Sequence, residues 1–250
     1  MPSFLSNGIA IAYEEHGEGA PILLIHGFGS SGKINWIDTG WVETLTGAGF
    51  RAVTYDNRGH GESRKLYDTN LYHAHEMAED AKRLLDHLGI ERAAVLGYSM
   101  GARIAAFLAL AHPNRVSCEI WGGMGMNLIS GLNDSEEIID ALTAESLDDV
   151  RGRTGRQFRI FAEHNKADRA ALAACMVTSR EPMSEEQVRS IDLPVLVANG
   201  DKDNMAGPAE PLAALLPKGE AFVIERRDHL RATGDPQFKQ RTLEFLAANA

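Results

Sequence analysis

Six short apolar runs, each bounded by turn residues, are the feature that most restricts how this chain can fold. They are the segments 21–27, 51–56, 92–97, 115–123, 194–200 and 221–225. Continuous apolar runs of this length are typical of parallel strands that are buried on both faces. Between them, the segments 75–89 and 102–112 repeat apolar residues at helical spacing until Gly89 and Pro113 end them. This alternation predicts an α/β fold with a doubly wound, mostly parallel central sheet.

Two departures from the alternation complete the predicted architecture. The earlier run 8–17 is interpreted as a strand or hairpin arm that begins the sheet. The interval 126–190 contains no strand-like run and carries amphipathic sequence rich in Glu, Asp and Arg. We therefore expect an α/β core formed by residues 1–125 and 191–250, with a small helical cap, residues 126–190, inserted in it.

Composition narrows the classes of function. The chain has 25 Lys and Arg against 35 Asp and Glu, a formal net charge of -10, which argues against nucleic acid as a partner. Its two cysteines, Cys118 and Cys175, are too few and too far apart for a disulfide framework or a metal cluster. The start, MPSFLSNG, lacks the features of a signal peptide. No apolar stretch reaches the length that a membrane span needs, which is about 18 residues. We expect a cytoplasmic protein that binds neither nucleic acid nor membrane, with its oligomeric state left open.

The glycine-rich segment HGFGSSGK, residues 26–33, is compatible with two kinds of nucleotide site. Its glycines fit the dinucleotide fingerprint G-x-G-x-x-G, and the segment also fits most of a phosphate-binding P-loop. Ile34, however, occupies the position of the hydroxyl that would coordinate magnesium. Asp56 could hold a ribose, but it lies farther from Gly27 than the fingerprint requires, which is roughly 20 residues. A nucleotide-binding protein therefore stays one of the alternatives.

The segment GYSMG, residues 97–101, is the most specific chemical motif of the chain. It matches G-x-S-x-G and lies between a predicted strand and a predicted helix, as a nucleophile elbow requires. Glycine is needed at both flanks because side chains there would collide with the backbone that crosses the strained turn. The turn presents the Ser99 hydroxyl at the helix N-terminus, where N–H groups and the helix dipole favour a developing negative charge. Ser99 is therefore the predicted nucleophile.

A serine nucleophile needs an acid and a base, which should follow it in the order Ser, Asp or Glu, His. Asp201 and Asp203 follow the run 194–200, where a carboxylate would stand at the same sheet edge as Ser99, and Asp203 is the preferred acid. His229 follows the last apolar run and reaches the same edge, so it is the predicted base. Four rival histidines lie on or at the ends of predicted helices, where solvated or capping roles are expected: His73, His75, His87 and His112.

Together these motifs resemble the α/β-hydrolase superfamily over nearly the whole chain. LLIHGFG resembles its oxyanion loop, YDNRGHGES its Asp-x-Arg-Gly-x-Gly-x-Ser turn, GYSMG its elbow, GDKD its acid turn and DHL its terminal histidine. The resemblance implies that the opening loop serves an oxyanion, with the backbone N–H groups of Phe28 and Met100 as donors. It also implies that the turn 56–63 braces this loop. One departure is Asp228, which precedes His229 where many members have glycine.

The resemblance also implies a chemistry. Serine at position 99 excludes the epoxide hydrolases and haloalkane dehalogenases of this fold, which use an Asp nucleophile, and it suits acyl transfer without a metal or organic cofactor. We expect hydrolysis of a small carboxylic ester, thioester or lactone through an acyl-enzyme intermediate. The alternatives are a carbon–carbon bond hydrolase or a cofactor-free perhydrolase with the same triad, and a ligand receptor on this fold.

The substrate pocket is the least determined part of the predicted site. Met124, Met126 and Met176 could line a pliable apolar pocket beneath the cap, although methionine is more often core filler. The cap also carries four arginines that could meet an acidic substrate but are more typical of a solvated helix face. They are Arg151, Arg153, Arg156 and Arg159. The predicted partner is a small-molecule acyl substrate, and no particular compound follows from the sequence.

Overall fold

The computed structural model describes residues 1–131 and 134–250 of the chain. Its centre is an eight-stranded sheet with the strand order β1-β2-β4-β3-β5-β6-β7-β8. The strands are β1 (Ser3–Ser6), β2 (Ile9–His16), β3 (Ala20–Ile25), β4 (Phe50–Tyr55), β5 (Ala93–Tyr98), β6 (Val116–Gly122), β7 (Val195–Gly200) and β8 (Gly219–Ile224). β2 pairs antiparallel with both β1 and β4, and the remaining neighbours are parallel. The predicted doubly wound, mostly parallel α/β fold is confirmed.

Helices cover both faces of the sheet. In chain order they are α1 (Trp41–Gly47), α2 (Ala74–His87), α3 (Met100–Ala111), α4 (Asn127–Ser130), α5 (Ser135–Thr143), α6 (Arg153–His164), α7 (Arg169–Thr178), α8 (Glu185–Arg189), α9 (Glu210–Ala213), α10 (His229–Ala232) and α11 (Pro236–Asn249). The helices α2 and α3 pack on one face, whereas α1 and α11 pack on the other. Within the described residues, no helix has the length and apolar character that crossing a membrane would require.

The strand β3 shows why the apolar runs are continuous. Leu23 and Ile25 belong to the core layer of α2 and α3, whereas Ile22 and Leu24 belong to the layer of α1 and α11. All four side chains have no exposed surface. Successive side chains of a strand point to opposite faces, so a strand covered on both faces needs apolar residues at every position. Each such side chain contributes about 1.5–3 kcal/mol through its burial.

The edge strand β1 was not predicted, and its sequence explains why. Leu5 points outward and is 73% exposed, whereas Ser6 is fully buried. This is the reverse of the pattern that identifies a half-buried strand. The Ser6 hydroxyl is satisfied instead by a hydrogen bond to the Asp80 carboxylate on α2. A buried polar contact between residues so far apart in sequence leaves no local signal.

The interval 126–190, between β6 and β7, holds α4 to α8 in its described part. Phe158 on α6 packs edge-to-face on Phe28 in the loop after β3, with ring centroids 5.7 Å apart. Asn165, just after α6, donates a hydrogen bond to the Gly29 carbonyl across 3.4 Å. These helices therefore lie over the carboxyl edge of the sheet, where the predicted catalytic residues were placed. The division into a core and a cap domain stays a prediction.

Candidate active site

Ser99 lies in a sharp turn between β5 and α3. Its φ of 54° and ψ of -114° form a strained conformation for a residue that carries a side chain. A Cβ on Gly97 would collide with the Gly101 carbonyl, and a Cβ on Gly101 would collide with the Ile25 carbonyl. Both glycines are therefore required by the close backbone crossing, as the elbow motif predicts. The turn presents Ser99 on the wall of a cleft.

His229 and Asp203 come together from the loops that follow β8 and β7. The Nδ1 atom of His229 lies 2.7 Å from Oδ2 of Asp203. Because an ionised carboxylate only accepts hydrogen bonds, we assign the imidazole proton to Nδ1, which leaves Nε2 as the basic nitrogen. The His229 side chain is 11% exposed and that of Asp203 is 0% exposed. A shielded carboxylate that orients an imidazole in this way is what a general base needs.

The structure distinguishes the two aspartates of the acid turn. The second oxygen of Asp203, Oδ1, accepts hydrogen bonds from two backbone N–H groups of the following turn, at 3.0 and 2.8 Å. Asp201 is exposed, and its carboxylate accepts a hydrogen bond from the backbone N–H of Arg227 at 3.1 Å. Of the two, Asp203 is the one that contacts His229. This placement agrees with the preferred acid, whose catalytic role stays a prediction.

Tyr98, the residue before Ser99, contacts His229 at a different point. Its hydroxyl donates a hydrogen bond to the His229 backbone carbonyl, and the two ring centroids lie 5.4 Å apart. Burial, followed by the charge of the Asp203 carboxylate, raises the pKa of the Tyr98 hydroxyl far above its ordinary range, so the hydroxyl remains a donor. The elbow motif leaves this position unspecified, and no sequence signal links it to a histidine so far along the chain.

Ser99 and His229 line the same cleft, which lies between the sheet edge and the helical interval above it. Its volume is about 780 Å³. The apolar part of its wall includes Phe28, Ile34, Ile138, Phe158, Phe161, Met205 and Leu230. Its polar lining includes the side-chain amides of Asn35, Asn127, Gln157 and Asn204 and the charged side chains of Asp134, Arg153, Lys202 and Asp228. A cleft of this size and mixed character fits a small organic molecule that is oriented by a few polar contacts.

The loop 26–33 does not converge on a phosphate. The Gly32 N–H, which a P-loop would aim at the ligand, donates to Oδ1 of Asp56 at 2.8 Å. Lys33 points to solvent, with 66% of its side chain exposed, and pairs with Asp38 at 2.5 Å. A P-loop lysine would instead reach back over its own loop to the phosphates. The geometry therefore disfavours the nucleotide-binding alternative.

The same loop passes close to the nucleophile. A Cβ on Gly27 would lie 3.2 Å from the Tyr98 carbonyl oxygen and 3.5 Å from Cβ of Ser99. The predicted oxyanion donors are the N–H of Phe28, next in this loop, and the N–H of Met100, the first residue of α3. Neither N–H donates a hydrogen bond to another described residue. Phe28 also lines the cleft, and the role of the two N–H groups in catalysis stays a prediction.

The turn 56–63 holds the loop in place through two buried histidines. His26 Nε2 accepts a hydrogen bond from the Asn57 N–H at 2.9 Å, and His26 Nδ1 donates to the Gly27 carbonyl at 2.8 Å. Burial lowers the pKa of His26 to about 4. Burial, and then the neighbouring His26, lower the pKa of His60 to about 3. Both imidazoles are neutral and lie off the cleft wall, so they support the loop and do not compete with His229 as the base.

The expectation of a methionine-lined pocket has to be corrected. Met124 and Met176 have 1% and 0% of their surface exposed and pack in the hydrophobic core. Met126 packs against the same core. None of the three lies on the cleft wall, where Met205 is found instead. Flexible thioether side chains fill irregular gaps between helices and sheet. These methionines therefore have the role of core filler, which the sequence also allows.

The four cap arginines occupy different environments. Arg159 is buried, and its guanidinium donates to two backbone carbonyls and to the Glu163 carboxylate, so it stabilises the helical interval. Arg156 donates to a backbone carbonyl at 2.8 Å, and Arg151 is exposed. Arg153 is the member of this group that lies on the cleft wall. A shared role in binding an acidic substrate is therefore not supported for the four residues.

The strand order and the turn at Ser99 are those of the α/β-hydrolase fold. A family model described as the alpha/beta hydrolase fold matches residues 20–121, which include β3, the loop 26–33 and the elbow. Over these residues, and in its strand order, the chain is similar to the α/β-hydrolase superfamily.

Individual proteins agree with this assignment over almost their full lengths. A hydrolase from Pseudomonas aeruginosa has a TM-score of 0.81 and 25% identity, covering 98% of this chain and 97% of that one. A thermophilic esterase from Thermogutta terrifontis has a TM-score of 0.75 and 26% identity, covering 98% and 96%. The non-heme chloroperoxidase CPO-A1 from Kitasatospora aureofaciens is 25% identical over 271 residues, covering 96% of this chain and 97% of the relative.

Proposed function

We propose that the protein hydrolyses a small carboxylic ester, thioester or lactone through an acyl-enzyme intermediate. The observation that carries this proposal is the 2.7 Å contact between His229 Nδ1 and Asp203 Oδ2 at the cleft that Ser99 also lines. It leaves His229 Nε2 free to take the proton of the Ser99 hydroxyl. The strained elbow supports the same role for Ser99, because such strain persists at positions where function demands it.

The proposed reaction has two acyl-transfer steps. As Ser99 Oγ attacks the substrate carbonyl carbon, its proton passes to His229 Nε2, and Asp203 stabilises the imidazolium that forms. The N–H groups of Phe28 and Met100 hold the oxyanion, and the loss of one such donor costs about 2.7–4 kcal/mol. His229 then gives the proton to the leaving alcohol, thiol or enol. In the second step His229 activates a water molecule, which releases the acid and restores Ser99.

The cleft supports a small-molecule acyl substrate as the partner. Its volume of about 780 Å³ falls within the range of sites for small ligands. Aromatic rings from the loop after β3 and from α6 form part of its wall, including Phe28, Phe158 and Phe161. Such rings contact an apolar acyl or alkyl group without requiring a charge on it. We propose that this part of the wall contacts an apolar acyl or alkyl group of the substrate.

A fluorophosphonate probe together with p-nitrophenyl esters of increasing acyl length tests the proposal. We expect rapid covalent labelling and ester turnover by the wild type, and neither by the Ser99→Ala variant. Labelling without turnover would favour the ligand receptor and contradict the hydrolase. Absence of both labelling and turnover would contradict an activated serine altogether.

A perhydrolase is the second candidate, because a relative of nearly full coverage is named a non-heme chloroperoxidase. In that reaction hydrogen peroxide would replace water in the second step, and the acyl-enzyme would release a peracid. Turnover of acetate and hydrogen peroxide, followed by the oxidation of iodide by peracid, measures this activity. Ester hydrolysis with kcat/KM far above that of peracid formation favours the first candidate, and the reverse ratio favours the second.

A further inference from the structure

A second cluster of ligating side chains lies outside the cleft, where the start of α2 meets the segment after α7. His73 and His75 flank Ala74, the first residue of α2, and Glu181 follows α7. One ligand atom from each of the three residues lies within 4.8 Å of the others. The proposed mechanism uses none of them, and capping or solvation of α2 does not explain why they converge.

Both imidazoles turn the same type of nitrogen toward the same carboxylate oxygen. His75 Nδ1 lies 2.8 Å from Glu181 Oε2, and His73 Nδ1 lies 3.8 Å from it. The two rings are stacked, with centroids 5.2 Å apart and planes inclined by 26°. Two imidazole nitrogens and one carboxylate oxygen within 4.8 Å of one another are a ligand set typical of Zn²⁺ and related transition metals.

The backbone that carries these ligands is fixed from two directions. Arg103, which has no exposed surface, donates to the Glu181 carbonyl at 2.6 Å. The Thr178 hydroxyl donates to the Thr69 carbonyl at 2.5 Å, which ties the end of α7 to the segment before α2. Ligands on a fixed backbone need only side-chain rotation to close on an ion, which keeps the cost of binding low.

We propose that His73, His75 and Glu181 bind a divalent transition-metal ion of the zinc type, which clamps the end of the helical interval to α2. The side chains are 37%, 51% and 31% exposed, so an ion can enter from solvent and keep water at its remaining position. Glu76 Oε1 lies 3.9 Å from His75 Nε2. A small rotation lets it accept the second N–H of His75, as the outer partners of ligating histidines do.

Calorimetry of chelator-treated protein with zinc chloride tests this site. We expect the wild type to bind one ion per chain, and Co²⁺ to give a visible absorption band. His75→Ala and Glu181→Gln should weaken binding by about 100-fold or more, since the loss of a residue that merely orients a ligand already costs about 10- to 100-fold. His112→Ala is the matched control, because the His112 ring pairs with Glu79 and is not part of the cluster.

Thermal unfolding provides a second measurement on the same variants. Saturating zinc should raise the melting temperature of the wild type and of His112→Ala, but not that of Glu181→Gln, because an ion bound only to the folded chain stabilises it. Absence of micromolar binding by the wild type would overturn the proposal. Binding that is unchanged in Glu181→Gln, or lost equally in His112→Ala, would also overturn it. Circular dichroism checks that each variant is folded.

Discussion

The Tyr98 hydroxyl donates a hydrogen bond to the backbone carbonyl of His229, so the neighbour of the proposed nucleophile also contacts the proposed base. Asp203 fixes the ring of the same histidine from the Nδ1 side. His229 is thereby constrained at both its backbone and its ring before any substrate binds. Constraint of this kind lowers the entropic cost of reaching the reactive geometry. The elbow, the turn after β7 and the start of α10 are thus joined by direct contacts, although they are far apart in the sequence.

Ser99→Ala should abolish ester turnover and leave the fold intact. Loss of a triad nucleophile costs about 10⁶-fold in kcat. Alanine keeps the Cβ atom, so the strained turn at φ 54° is unchanged and the melting temperature should stay near that of the wild type. Single-turnover and steady-state assays with p-nitrophenyl esters measure the effect. Activity within tenfold of the wild type would exclude the proposed mechanism.

Asp203→Asn and Asp201→Asn should differ sharply. Replacing the orienting carboxylate by an amide costs about 10⁴-fold in kcat, because the imidazole loses its preferred tautomer. Asp201 is exposed and contacts only the backbone N–H of Arg227 among the described residues, so its variant should keep most of the activity. Measured kcat values for both variants show which aspartate orients His229. A larger loss of kcat in Asp201→Asn than in Asp203→Asn would assign the acid to Asp201.

Tyr98→Phe should lower kcat by about tenfold with little change in KM, because slight misplacement of a catalytic group costs up to about 10²-fold. The variant keeps the ring packed on His229 and removes only the donor to its carbonyl. Tyr67→Phe is the matched control, since that hydroxyl bonds Asp168 at the surface. Equal kcat values for the two variants would show that Tyr98 does not position the base.

The parts of the fold that the sequence predicts are those whose signals are local. A strand covered on both faces must be apolar throughout, and a nucleophile elbow needs glycine at Gly97 and Gly101 where the backbone crosses. These requirements act on neighbouring residues and leave a visible pattern. β1 leaves none, because its inward Ser6 is satisfied by Asp80 on a distant helix.

The residues of the cleft wall leave no local signal in the sequence for the same reason. Whether a methionine faces a pocket or fills the core depends on which helix lies above it, and sequence cannot give the packing of the helical interval. Met176 is therefore in the core, whereas Phe158 and Phe161 of α6 reach the cleft. Tyr98 likewise gains its role from a contact across the sheet edge.

Glu119→Gln should stabilise the protein increasingly as the pH rises. Glu119 lies fully buried in β6, accepts a hydrogen bond from Trp121 Nε1 at 2.5 Å, and burial raises its pKa well above the ordinary 4.5. A carboxyl with a raised folded-state pKa contributes stability below its unfolded pKa, and this is lost as the pH rises toward the folded value. Glutamine keeps the acceptor and cannot ionise, so it avoids this loss.

Urea unfolding of both proteins between roughly pH 4 and pH 8 measures the difference in the free energy of unfolding. The difference should grow in favour of Glu119→Gln above about pH 4.5. Glu225→Gln is the control, because Glu225 is exposed and its variant should show no such trend. A difference that is independent of pH would mean that Glu119 ionises normally in the folded protein.

Gly27→Val should reduce kcat strongly, whereas Lys33→Ala should leave it nearly unchanged. A Cβ on Gly27 would already lie 3.2 Å from the Tyr98 carbonyl oxygen, so a larger side chain must displace the loop that carries the Phe28 N–H. Loss of one oxyanion donor costs about 10² to 10³-fold in kcat. Lys33 is exposed and pairs with Asp38, so its removal leaves the loop in place. Calorimetry with ATP and NAD gives the opposing test: micromolar binding of either that disappears in Lys33→Ala would restore the nucleotide-binding interpretation of the loop.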